Sequence, residues 1–142
     1  CLDQSETLIE AARARLGHLE NVSCVVGDLH ALPFDDRSFD DVLLLNVLTS
    51  VKAPARAVAE CARVLRPRGR LVLVTLAAHD KPDITSAYGH LHPGFTPAAL
   101  RKLLARADLE VEECGLTSRE RRAPYFQVLT AFAGKPARSK ES

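Results

Sequence analysis

Leu8, Ile9, Ala12 and Leu16 recur at the spacing of one helical face, and Gly17 offers a stop. Asp3 or Ser5 can cap that helix, with Glu6 three positions after Asp3, so a helix is expected near residues 5–16. Val22-Ser23-Cys24-Val25-Val26 is a β-rich run closed by Gly27-Asp28, and Asp41-Val42-Leu43-Leu44-Leu45 is almost continuously apolar. Apolar runs without polar alternation predict strands buried on both faces. Between them, Leu32-Pro33-Phe34-Asp35-Asp36-Arg37-Ser38 has the proline and Asp/Ser density of a loop with a tight turn. Ala55, Val58, Ala59, Ala62 and Leu65 repeat at helical spacing up to Pro67, and Arg68-Gly69 supplies a turn before a strand over Leu71–Leu76.

Residues 77–95 lose all periodicity: Pro82, Gly89, Pro93 and Gly94 interleave with His79, His90 and His92. An irregular, mobile segment with at most one short helix is expected there. Thr96 then caps a helix with Pro97 at its first position, and Leu100, Leu103, Leu104 and Ala107 form its buried stripe. Leu109 to Cys114 alternates apolar and acidic residues, and Tyr125 to Phe132 is rich in β-formers. With Ser118-Arg119-Glu120-Arg121-Arg122 as a solvated turn between them, these runs predict a terminal antiparallel pair. From Gly134 onward nothing is available to bury, so residues 135–142 are expected to form a disordered tail on a domain covering 1–134. Strands alternating with helices indicate an α/β sheet with right-handed crossovers.

Composition narrows the function classes. The chain has 142 residues, 46% of them hydrophobic, and a formal charge of +1, which provides no basic field for nucleic acid. No apolar run reaches the roughly 18–20 residues of a membrane span, and the first residues lack the order of a secretory leader. Cys1, Cys24, Cys61 and Cys114 are widely separated with no Cys-x-x-Cys pair, which argues against a zinc site and against a disulfide framework. Reduced, mostly buried thiols in a cytoplasmic protein are expected. The chain contains no methionine and opens on Cys1-Leu2-Asp3, within an element, so it reads as part of a longer chain.

In open parallel α/β sheets, ligands lie beyond the carboxyl ends of the strands. Asp3 follows Cys1-Leu2, Asp28 follows Val22–Val26, and Asn46 follows Val42–Leu45. A carboxylate at Asp3 suits the vicinal hydroxyls of a ribose and disfavours a 2′-phosphate, although Asp is also a common helix cap. Asp28 can accept from an adenine amine while the Leu29 N–H donates to the neighbouring ring nitrogen; a solvated loop acid is the plainer alternative. Asn46 can meet an ammonium group or serve only as a turn amide. His79 and His90 are candidates for assisting a nucleophile from a loop over the strand tips, and no metal site is expected, since loop histidines here lack a fourth strong ligand.

Asp3-Gln4-Ser5, Gly27-Asp28, the phrase Leu32-Pro33-Phe34-Asp35-Asp36-Arg37-Ser38-Phe39-Asp40, Asn46-Val47-Leu48 and Arg63-Val64-Leu65-Arg66-Pro67-Arg68-Gly69-Arg70-Leu71 together resemble the class I S-adenosylmethionine-dependent methyltransferases. The likeness is to the small-molecule branch. Ala78-His79-Asp80 and Gly89 to Phe95 further resemble methyltransferase domains fused to arsenical-repressor-type regulators, without a cysteine trio to trap arsenic. The resemblance implies an α/β, Rossmann-like, doubly wound and mostly parallel sheet with an antiparallel C-terminal strand, in which Tyr125–Phe132 lies between Leu71–Leu76 and Leu109–Cys114. It implies S-adenosylmethionine as cofactor and a small-molecule acceptor. Asp3 and Gln4 would stand at the ribose and adenine, Asp28 and Leu29 at the adenine, and Asn46 and Val47 at the methionine end. The family's first strand and its glycine-rich turn are not matched by this sequence, and Pro67-Arg68-Gly69 stands where the family usually has Pro-Gly-Gly. Two consequences are expected: weak or no cofactor binding by this chain alone, and two unpaired sheet edges that favour self-association or a missing N-terminal segment. A nicotinamide-dependent oxidoreductase and a non-catalytic regulatory remnant are the alternative readings.

Overall fold

The computed structural model describes residues 1–137. The elements are β1 (Leu2–Asp3), α1 (Glu6–Leu16), β2 (Val25–Val26), β3 (Phe39–Leu45), a single 3-10 turn (Leu48–Ser50), α2 (Pro54–Val64), β4 (Leu65–Leu76), α3 (Pro82–Ser86), α4 (Pro97–Arg106), β5 (Glu110–Arg119) and β6 (Gln127–Gly134). Side-chain caps start α1 and α4, whereas α2 and α3 begin on Pro54 and Pro82 without one. Ser5 accepts from the Leu8 N–H at 3.3 Å and Thr96 from the Ala99 N–H at 3.1 Å, with Pro97 at the first helical position.

The strands form two separate sheets. β1 and β2 pair in parallel; the larger sheet runs β3-β4-β6-β5, parallel between β3 and β4 and antiparallel on both sides of β6. The C-terminal strand therefore sits between β4 and β5, as expected, and the sheet is mixed. Along β4, Leu65, Leu71, Leu73 and Thr75 point inward and are fully buried or nearly so, alternating with more exposed neighbours. Leu100 and Leu104 of α4 and Val58, Cys61 and Ala62 of α2 belong to the same core cluster as Leu129, Ala131 and Ala133 of β6. Burying that cluster against one sheet face is the principal stabilising contribution.

Several expectations change. The strand expected over Val22–Val26 shrinks to Val25–Val26, because β1, its partner among the described residues, is two residues long and Leu19 and Val22 close a turn instead. Burial of the Val42–Leu45 run on both faces fails: Leu44 is buried, but Leu43 and Leu45 are 62% and 50% exposed. β3 is an edge strand, and no described helix covers its second face. The Arg68-Gly69 turn is absorbed into β4 as an irregularity opposite Phe39 and Asp41, with Arg68 at φ 66°. Lys135, placed by the sequence in the tail, is instead held. Its backbone pairs with Arg68 and Gly69, and its ammonium donates to the Ala62 and Leu65 carbonyls at the end of α2, at 2.6 and 2.7 Å. Residues 138–142, the rest of that expected tail, lie outside the described residues.

Segment 77–95 contains one short helix, α3, and is tied down rather than loose. Phe95 N–H donates to Leu76 O, Ala78 to Phe95 O and His79 to Pro93 O, while Leu91 and His92 both donate to Thr49 O. Gly94 permits this return: it has φ 90°, and a Cβ there would overlap the Ala77 carbonyl.

Candidate functional site

A cavity of about 1160 Å³ lies between the two sheets. One wall is Leu2, Asp3 and Gln4 at the end of β1 with Gly27, Asp28, Leu29 and His30 after β2; the other is β3 with Asn46 and Val47 beyond it. Asp3, Gln4, Asp28, Leu29, Asn46 and Val47 thus share one hollow.

Each acid uses one oxygen to shape its own loop. Asp3 Oδ1 accepts from the Ser5 N–H at 2.8 Å, a turn that also starts α1, so the residue closes a helix entry and faces the cavity at once. Asp28 Oδ1 accepts from both the backbone N–H and the ring Nδ1 of His30, each at 2.8 Å. These two hydrogen bonds, the backbone one first, hold the Asp28 carboxyl below the usual carboxylate range, so it is a carboxylate at neutral pH. The Leu29 N–H has no protein acceptor among the described residues, and Leu29 lines the cavity. Asn46 adopts φ 54°, a left-handed conformation that asparagine tolerates better than most residues, and its N–H donates to Val74 O at 2.8 Å.

The sequence reading missed two participants. His30 lines the cavity and bridges the site to α2: its Nδ1–H donates to Asp28, and its Nε2 accepts from the Ala53 N–H at 3.1 Å, the residue that caps α2. Only the tautomer protonated on Nδ1 serves both bonds. The signal for it, a histidine two residues after a strand-tip acid, was present but not specific. Leu91 also lines the cavity, brought there by its bond to Thr49.

The loop phrase Leu32 to Asp36 is clamped from α2. Arg63 donates through Nε and one Nη to both Glu60 oxygens, and to the Leu32 carbonyl, the Phe34 carbonyl and Asp36 Oδ1, at 2.7–3.0 Å. Glu60 in turn accepts from the Leu32 N–H at 2.7 Å. Its carboxyl is held low, first by Arg63 and also by that backbone bond. Leu32 and Phe34 line the cavity, so the clamp positions one of its walls.

His79 and His90 stand elsewhere. His79 lines a smaller pocket of about 350 Å³ with Lys81, Arg119 and Tyr125, its ring 4.8 Å from Phe126. Its Nδ1 accepts from the Lys81 N–H, whereas its Nε2 and the Nδ1 of His90 are buried without partners. Burial, then the neighbouring His90, lowers the His79 pKa. His90 lines neither hollow. His92 donates to the Val51 carbonyl at 2.8 Å. Arg119 stacks over Tyr125 at 5.5 Å, while Arg121 and Arg122 are exposed at the hairpin end. No group of three or more His, Cys, Asp or Glu side chains able to hold a metal exists among the described residues.

A parallel β1-α1-β2 unit set beside a mixed sheet, with acids at successive strand tips around one cavity, defines a Rossmann-like α/β fold. Residues 1–73 match the methyltransferase domain family, and the chain belongs to it, among the class I S-adenosylmethionine-dependent methyltransferases. It is 34% identical over 111 residues to a demethylmenaquinone methyltransferase of Staphylococcus epidermidis, covering 78% of this chain and 46% of that protein. It is 46% identical over 72 residues to an uncharacterized transposon protein of Streptomyces fradiae, covering 51% of this chain and 21% of the other. Among solved structures, a SAM-dependent methyltransferase from Methanosarcina mazei superposes with a TM-score of 0.77 at 21% identity, over 96% of this chain and 81% of that one. The chain spans about half the length, or less, of these two relatives.

Proposed function

We propose that this chain forms the nucleoside-binding and acceptor-facing part of an enzyme that methylates a small molecule from S-adenosylmethionine. The observation that carries the reading is the convergence of Asp3 and Asp28 on one cavity. Asp3 accepts from the ribose hydroxyls; Asp28 accepts from the adenine amine while the Leu29 N–H donates to the ring nitrogen beside it, and Gln4 lies next to the base; Asn46 and Val47 face the amino-acid end. The sulfonium of the bound cofactor supplies an already activated methyl group, so the protein's task is alignment and exclusion of water. Beyond Asn46, the apolar Val47, Val51 and Leu91 share the wall with Ser50 and Lys52, which suits an acceptor with both apolar and polar parts.

We assign His79 and His90 to holding the 77–95 segment rather than to proton transfer, since neither lines this cavity. The +1 charge and the lack of any described helix long and apolar enough to cross a membrane fit a cytoplasmic enzyme with a small-molecule substrate. Calorimetric titration of the chain in its full-length context with S-adenosylhomocysteine tests the reading. Asp3→Asn and Asp28→Asn are each expected to weaken binding by about tenfold or more, in keeping with the roughly 1.5–3 kcal/mol of a hydrogen bond to a charged group. Unchanged affinity in both variants would remove the assignment.

A further inference from the structure

The strand pair β1–β2 places two thiols against each other. Leu2 pairs with Val25, so Cys1 stands opposite Cys24, and the Val25 N–H donates to the Cys1 carbonyl at 2.9 Å. The two sulfurs are 3.2 Å apart. Adjacent strands lie about 4.7–4.9 Å apart, inside the roughly 4.4–6.8 Å Cα separation that a disulfide accepts. Closing the bond needs the sulfurs to approach to about 2.05 Å, a movement that side-chain rotation can supply. Cys1 is exposed and Cys24 half-buried, so a small reagent reaches the pair. The remaining thiols, Cys61 and Cys114, are buried and far from each other in the sequence.

We propose that Cys1 and Cys24 are a redox-modifiable dithiol that low-molecular-weight disulfides convert to an intrachain cross-link. The Cys1 thiolate attacks one sulfur of the small disulfide and releases one small thiol. Cys24 then attacks the Cys1 sulfur of the mixed disulfide and releases the second. Two electrons and two protons pass from the protein pair to the two released thiols, so no other oxidant is needed. The bond would tie β1 to β2 upstream of Asp3 and Asp28, where the strands share a two-residue ladder and Arg13 of α1 donates to the Cys24 carbonyl. This inference stands whatever ligand the cavity takes.

Incubation of the chain with oxidised glutathione, followed by thiol titration after denaturation, reads it out. Two of the four thiols are expected to be lost, peptide mapping should recover Cys1 linked to Cys24 within one chain, and amide exchange across residues 1–26 should slow. Cys24→Ser should instead accumulate glutathione on Cys1, because the resolving thiol is gone. Retention of all four thiols, stable glutathione on Cys1 with Cys24 free in the unaltered chain, or a link formed only between two chains would each overturn the proposal.

Discussion

Arg63 shows how much one side chain organises here. Its five N–H donors are all used, on Glu60, Asp36 and two loop carbonyls, and the fork geometry that permits this belongs to arginine alone. Arg63→Lys keeps the charge but offers a single ammonium, so a loss of about 2–3 kcal/mol is expected, read as a lowered urea midpoint with unchanged slope. The phrase Leu32 to Asp40 was legible as a family pattern, but that two of its carbonyls are caught by a helix residue 29 and 31 positions downstream was not. His79 offers a second residue-scale test. Its folded pKa is depressed by burial, so between that value and the ordinary histidine value the unfolded chain binds more protons. Stability is therefore full at neutral pH and falls on acidification through that window. Thermal midpoints at pH about 7.5 and about 5.5 should differ less in His79→Asn than in the unaltered chain, because the replacement does not titrate.

At the scale of elements, helices were readable nearly to the residue because caps and apolar periodicity are local. α1 ends at Gly17 and α4 begins after Thr96, as their sequences imply. Strand lengths were not, since a strand extends only as far as its partner: β2 stops at two residues, while β5 runs on to Arg119 because β6 pairs along its whole length. Segment 77–95 lacks periodicity, yet its backbone is pinned at both ends and again at Thr49. Its weak point is Gly94. Gly94→Ala places a methyl on the Ala77 carbonyl at a positive φ, so a cost of about 2 kcal/mol or more is expected, with faster amide exchange at Ala78, His79 and Phe95. Exchange rates equal to those of the unaltered chain would show that the return is not held there.

At the largest scale, the two sheets do not join among the described residues. β3 presents an open backbone edge, and Leu43, Leu45 and Phe132 expose apolar side chains. Such a combination favours association with further chains. Light scattering on the 142-residue chain should report species larger than a monomer, and Leu43→Lys should shift them toward monomer. A monodisperse monomer at tens of micromolar would contradict this. By itself, the sequence determined the α/β alternation, a terminal antiparallel pair, the caps of α1 and α4 and the acids at the strand tips, because each depends on local periodicity or on a residue's own hydrogen-bonding capacity; the place of β6 between β4 and β5 followed from the family resemblance alone. Only the tertiary structure decided that Asp3 and Asp28 share a hollow, that His30 joins one of them to α2, that Lys135 is anchored and that Cys1 meets Cys24. Those outcomes depend on which segments of backbone come to lie side by side, and contacts between residues distant in the chain leave no periodic trace in it.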